Sequence, residues 1–347
     1  MLPGLLIGLF TIYYLLSTPA SARASSFDLS VSPSILQIEL TPPAVADVKE
    51  TITLENNGDE PLSLKLSYRS FRPSGDAGEL TYLTEDESPG NDPLIFQRIS
   101  VMDGDNRLES FVIPPKTKKQ YNLVISIPKD EPSDDYYFSL IFLTEQDQSI
   151  VNKTTGSTSL GGVALNVLLS IGPKTQTTGS IEDFSTPFFQ PEGPVAFNVK
   201  IKNTSKHFIY PKAQILITNM FGQRIGKVEL LPVNILSDST RSLPSKEQFV
   251  LNAQAEQCQE QGDKCEEPTD DTAKLLALSS DPKALWPERF ILGPYTATLT
   301  VAFSDEGPLY TRSLLFIGLP VYIFAGFAIA LILLLMIRTR LKHHQKI

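Results

Sequence analysis

Short segments whose apolar residues recur at every second position constrain this chain more than any other feature. Val48–Leu54 (VKETITL) and Leu62–Tyr68 (LSLKLSY) follow this pattern, with the turn-forming run Asn56, Asn57, Gly58, Asp59 between them. A period of two puts one set of side chains on one face of an extended strand, so each segment is expected to be half-buried in a sheet. Leu29–Ser32, Ile35–Leu40, Phe111–Ile113, Tyr121–Ile127, Tyr137–Phe142 and Val163–Leu169 continue the series, with Pro33 separating the first two. The 26 prolines among 347 residues favour strands, turns and extended connections over helices. The expected fold class is all-β, an antiparallel sandwich over residues 27–173, and a barrel is the other form with this pattern.

After Gly172 and Pro173 the pattern restarts. Val195–Ser205 (VAFNVKIKNTS) echoes Thr51–Gly58 (TITLENNG), and a second strand, Ala213–Ile217, follows the polar turn as before. Gly293–Phe303 (GPYTATLTVAF) parallels Asp134–Phe142 (DDYYFSLIF), each placing a turn and a tyrosine ahead of an apolar strand. The prediction is two tandem immunoglobulin-like β-sandwich domains, 27–173 and 176–313. Two stretches interrupt the plan: residues 71–93, rich in Pro, Gly and acidic side chains, and an acidic insertion at 253–288 that carries both cysteines.

The ends add topology. The apolar run Leu5–Leu16 precedes Ala20, Ser21 and Ala22, the small-x-small pattern of a cleavage site, so residues 1–22 are expected to be a signal peptide. Leu314–Ile337 contains no charge over 24 residues and is expected to be a transmembrane helix. Arg338, Arg340, Lys342 and Lys346 follow it, making 338–347 a basic cytoplasmic tail by the positive-inside rule. The expected location is the cell membrane, with a single pass and the N-terminal ectodomain outside. In an exported chain, Cys258 and Cys265 are expected to pair as a disulfide closing a small loop.

The search for chemistry is negative. With 30 Lys+Arg against 39 Asp+Glu, the net charge of −9 argues against nucleic acid as a partner. Only three histidines are present, two of them His343 and His344 in the tail, which argues against His-based catalysis and zinc. No phosphate loop, nucleophile elbow or zinc-protease motif occurs, so no catalytic, cofactor-binding or metal residue is predicted. His207 reads as an exposed loop histidine and the pair Asp134, Asp135 as a solvated turn. Asp103–Asn106 (DGDN) reads as a tight hairpin turn, because it lacks the later ligands of a calcium loop. Asn152 and Asn203 begin glycosylation sequons.

The whole arrangement resembles the WxL-interacting proteins of bacteria. The matching residues are Phe27–Pro33 (FDLSVSP), Thr51–Asn57 (TITLENN), Val112–Pro128 followed by Asp134–Tyr137, and Leu292–Val301 (LGPYTATLTV). That resemblance implies a peptidoglycan-associated first domain and a second domain that contacts surface or host proteins. The expected function is a non-enzymatic, membrane-anchored surface adaptor without cofactors, whose partners are a cell-wall polymer or other surface proteins. The alternative is a chaperone-like or structural accessory of a surface assembly, capturing exported chains by β-strand addition.

Overall fold

The computed structural model describes residues 28–40, 47–83, 94–129, 131–145, 161–173, 177–246, 248, 282–305, 307–320, 322, 326, 329–336 and 338. The expected signal peptide, Cys258, Cys265, Arg340, Lys342, Lys346 and the Asn152 sequon lie outside the described residues. Strands dominate, and they sort into two pairs of sheets.

The first pair is built from residues 29–171. One sheet has the order β1-β3-β9-β6-β7: β1 (Leu29–Ser32), β3 (Asp47–Asn56), β9 (Thr117–Ser126), β6 (Ile99–Asp103) and β7 (Asn106–Arg107). The other has β2 (Ile35–Leu40), β11 (Gly162–Ile171), β10 (Asp134–Thr144), β4 (Leu62–Ser74) and β5 (Glu79–Tyr82), with β8 (Ser110–Ile113) also on β4. Pro33 lets the first extended segment change sheets: β1 runs antiparallel to β3, while β2 lies parallel to β11. The inward residues predicted by alternation (Ile52, Leu54, Leu123, Phe138, Phe142 and Leu165) fill the space between the sheets. Asp103 and Asn106 face each other across the β6–β7 turn, where Gly104 has φ of 60°, so the DGDN segment is the expected hairpin turn.

The second pair repeats this plan. β12 (Gly179–Ser185) runs antiparallel to β14 (Val195–Asn203), and β13 (Phe189–Gln190) lies parallel to β20 (Leu309–Gly318), as β2 does to β11. β15 (Lys212–Asn219), β19 (Gly293–Ala302) and β20 then pair in series as β4, β10 and β11 do. β16 (Arg224–Glu229) extends this sheet from β15, and β17 (Thr240–Ser242) and β18 (Ala284–Trp286) pair with β14. Trp286 is buried in the core, so the last residues of the expected 253–288 insertion are part of the sheet framework.

The echo seen in the sequence is a structural equivalence. Asn56 closes β3 and Asn203 closes β14, and both are wholly buried. Asn56 Nδ2 donates to the carbonyls of Glu60, Ile113 and Pro114, and Asn203 Nδ2 donates to those of His207, Ile235 and Leu236. Each Oδ1 accepts the N–H two residues on, from Gly58 and Ser205. The side chain is a polar plug for the loop that follows its strand. A plug with its amide fully engaged and no solvent access is no site for a glycan, which corrects the sequon reading of Asn203.

The expected transmembrane helix at 314–337 is also corrected. Leu314–Gly318 are the second half of β20 and pair with Gly293–Ala297 of β19. Phe316 is fully buried and its ring stacks on Tyr295 at 5.3 Å, and Leu314 packs on the same core. Among the described residues no helix is long and apolar enough to cross a membrane. The sandwich therefore claims the start of the apolar stretch, and the single-pass, membrane-anchored localisation is not upheld. Arg338, expected to fix that topology, is an exposed helical residue.

Candidate functional site: the cleft between the two sandwiches

β4 is longer than its sheet needs. It pairs with β10 as far as Ser70, opposite Phe138, and then runs on to Ser74 as one arm of a hairpin with β5. Residues 71–82, expected to interrupt the plan, thus form an arm that reaches the second sandwich. Gly75 and Gly78 make its turn with φ of 76° and 102°, values open to glycine and strained for other residues. At Gly78 the second sandwich comes so close that an added Cβ would lie 2.3 Å from Arg241 Nη2. Beside it, Ser242 N–H donates to the Asp76 carbonyl at 2.7 Å, and the Asp76 carboxylate pairs with the Lys200 ammonium. That partner holds the Asp76 carboxyl below its ordinary value and raises Lys200 in turn.

The deepest contact lies behind the arm. Asp135 Oδ1 stands 2.7 Å from His207 Nδ1, and Asp135 Oδ2 accepts the Phe208 N–H at 2.6 Å and the Tyr137 hydroxyl at 2.6 Å. The Tyr137 oxygen in turn accepts the Ser237 N–H at 3.2 Å. Apolar residues from both sandwiches (Phe71, Leu168, Phe208 and Leu236) pack around these groups, and the Phe71 and Tyr137 rings stack at 6.2 Å. Asp135 and His207 are 6% and 8% exposed, so neither is the solvated turn or exposed loop residue that the sequence suggests. Burial, followed by the Asp135 charge and its hydrogen bond, pushes the Tyr137 phenol far up.

Ser170 Oγ is 3.0 Å from His207 Nδ1, which brings a serine, a histidine and an aspartate together. The geometry is not that of a hydrolase. A triad needs the serine on one ring nitrogen and the carboxylate on the other, so that a proton can be taken up while the imidazolium is stabilised. Here both partners meet the same nitrogen, in a buried junction where no substrate carbonyl has access. The arrangement locks the two sandwiches together.

Between the arm, the outer face of the β2–β11 edge and the 230–241 segment lies a cavity of about 340 Å³. Its walls mix apolar side chains (Phe71, Leu80, Leu168) with polar ones (Gln37, Asn234, Arg241). Arg241 Nη1 donates to the Asn234 carbonyl at 2.9 Å, and burial lowers the Arg241 pKa while Glu79 acts the other way. Asn234 Oδ1 is buried and has no hydrogen-bond partner among the described residues. On the rim runs β2, which among the described residues pairs only with β11. Ser34 O and Leu40 O accept from Asn166 N–H and Gly172 N–H, so the even-numbered residues bond toward β11. The backbone groups of Ile35 and Gln37 therefore face away from the sheet, and both residues are exposed.

Comparison with known proteins adds context. No protein-family model matches the chain, and no curated protein does. Among solved structures, the class 5 fimbriae chaperone CfaA aligns with 84% of this chain and 100% of its own, at 12% identity and a TM-score of 0.37. A chain from the Salmonella enterica SafA pilin–SafB chaperone complex aligns over 83% and 97%, at 9% identity and 0.35. The E. coli chaperone DraB aligns over 63% and 86%, at 13% identity and 0.32. These values assign neither a family nor a function to the chain. The expected membrane-anchored peptidoglycan binder is corrected on the fold itself: the start of its span is strand β20, and among the described residues no helix is long and apolar enough to cross a membrane.

Of the residues singled out by sequence, Asp135 and His207 are brought together, at the junction, and Asn203 holds the loop that carries His207. Arg241, Asn234 and the β2 edge carried no signal beyond ordinary loop and strand composition.

Proposed function

We propose that the chain is a non-enzymatic, chaperone-like binding protein that captures an extended segment of another exported chain by β-strand addition at β2. The open edge of β2 beside the cleft carries this reading. Among the described residues no strand pairs with its outer side, so its outward N–H and C=O groups are a template for an incoming strand. Ile35 and Gln37 line the neighbouring cavity, which offers room for side chains of the guest while the backbone pairing supplies affinity without sequence readout. The partners are surface proteins in this reading, and each sandwich is a domain of immunoglobulin-like plan. Kinship of scaffold with the WxL-interacting proteins is part of the same proposal, carried by the Asn56 turn and the Leu292–Val301 strand.

The test is hydrogen exchange of the β2 amides with and without a short peptide of alternating valine and threonine. Strand addition protects the amides of Ile35 and Gln37 and leaves Leu36 and Ile38, already bonded to β11, unchanged. Gln37→Pro removes an outward N–H at an edge where proline is tolerated and abolishes peptide binding with the fold intact. Equal exchange at Ile35 and Gln37 with and without saturating peptide rejects the reading.

A further inference from the structure

We propose that the outer edge of β20 pairs with the same edge of a second copy of this chain, joining the second sandwiches of two copies through one continuous sheet. The inference goes beyond strand capture at β2 and is independent of it. It starts from an unfinished repeat. β2 covers β11 from Asn166 to Ile171, whereas β13, its counterpart, covers β20 only at Ile317 and Gly318. Ile317 N–H donates to the Phe188 carbonyl and Leu319 N–H to that of Gln190, and β20 pairs with β19 without a register shift. The odd-numbered residues of β20 therefore turn their N–H and C=O groups away from β19. Those of Leu309, Thr311, Ser313 and Leu315 meet no strand among the described residues. Residues 309–313 are all exposed, so this edge is open to solvent.

Folded proteins usually guard a long edge with charge, proline or a bulge. Between Leu309 and Phe316 the only charge is Arg312, and it turns inward, its Nη1 donating to the carbonyls of Ile181 and Glu182 on β12. The outward positions are Leu, Thr, Ser and Leu, and their order selects the occupant. A twofold axis through Arg312 sets Leu309 opposite Leu315 of the partner subunit, and Thr311 opposite Ser313 of the partner subunit. Every outward residue thus meets one of its own chemical kind, and each such pair exchanges two backbone hydrogen bonds. Leu309 and Leu315, 67% and 53% exposed in the single chain, cover each other across the axis. A register shifted toward the C-terminus runs into β13 at Ile317. On the axis Arg312 faces its own copy, a like-charge contact that keeps the association weak and dependent on concentration.

The experiment is residue-resolved hydrogen exchange of the full-length chain at concentrations from about 2 to about 500 µM. Pairing slows the amides of Thr311, Ser313 and Leu315 by about fivefold or more at the top of that range. Arg312 and Leu314, which bond to β19, and Ile35 and Gln37 of β2 keep their rates. The register is read by charge exchange. Leu309→Lys and Leu315→Glu are each expected to raise the midpoint concentration of this protection by about fivefold or more, and the double variant to return it to within about twofold of the native chain, because the two new side chains then face each other across the axis. Rates at the odd positions that do not change with concentration overturn the proposal, and this measurement on the native chain decides even where a variant fails to fold. A double variant no tighter than either single one overturns it too. Protection of these amides by the valine–threonine peptide, with none from raised chain concentration, gives the edge to a guest strand and overturns pairing between copies.

Discussion

Asp135 and His207, 72 positions apart in the chain, meet at 2.7 Å in the buried seam where the two sandwiches join. Asp135 accepts from three groups there, two of them on the second sandwich, and no solvent replaces it. Asp135→Ala leaves the Phe208 N–H and the Tyr137 hydroxyl without their acceptor. The expected cost is about 3 kcal/mol, by the usual penalty for orphaned buried donors. Chemical denaturation of the variant measures it. A cost under about 0.5 kcal/mol, the level of an ordinary surface change, contradicts the seam as described.

The matched plugs make a paired prediction. Asn56→Ala and Asn203→Ala each remove the side-chain bonds to three carbonyls, and each is expected to destabilise by roughly 3 kcal/mol. Because Asn203 also holds the loop with His207 and Phe208, its variant is expected to lose the seam, raising the radius of gyration in small-angle scattering, while Asn56→Ala leaves the seam in place.

Alkaline pH attacks the buried phenols. Burial raises Tyr68 and Tyr121 to about 12 and pushes Tyr137 further in the same direction. A folded-state value above the ordinary one near 10 means that the neutral phenol stabilises the fold below pH 10. That contribution is lost as pH rises above 10. Absorbance of phenolate against pH is expected to jump cooperatively with unfolding, not to titrate smoothly near 10. On the acid side Asp76, held low by Lys200, stabilises above about pH 4 and loses its effect below that. Its side chain is 40% exposed, so the contribution is small.

Gly78 is a packing requirement as well as a turn. Gly78→Ala drives a methyl group to within 2.3 Å of Arg241 Nη2 at a φ of 102°. The expected cost is about 1–3 kcal/mol, read by chemical denaturation. Gly104, also at positive φ but with open space around it, is the control: Gly104→Asn is expected to be nearly neutral in a thermal melt.

The assignment of Leu314–Gly318 to β20 is tested by two neighbours. Phe316→Ala empties a fully buried site and is expected to cost about 3–5 kcal/mol. Leu315→Ala, at a position 53% exposed, is expected to cost less than about 1 kcal/mol. A membrane helix starting at 314 predicts no such contrast in the stability of the sandwich.

Local patterns by themselves settled the strands and their repetition. Alternation in Val48–Leu54, Tyr121–Ile127 and Val195–Ile201 depends only on neighbouring residues, because a strand has a period of two whatever it pairs with. The echo of Asn56 in Asn203 was legible for the same reason, since a plug, its strand and its turn are contiguous. The short strands β17 and β18 were not legible, because three residues are too few to show a period. Burial of Asp135 and His207 was decided only by tertiary structure: a polar residue in a loop is solvated unless another part of the chain covers it. The fate of Leu314–Gly318 was decided in the same way. An uncharged run suits a buried strand and a membrane helix equally, and the pairing with Gly293–Ala297 made it a strand. The cavity that sets Phe71 and Leu80 against Asn234 and Arg241 exists only because the arm of β4 and β5 crosses from one sandwich to the other.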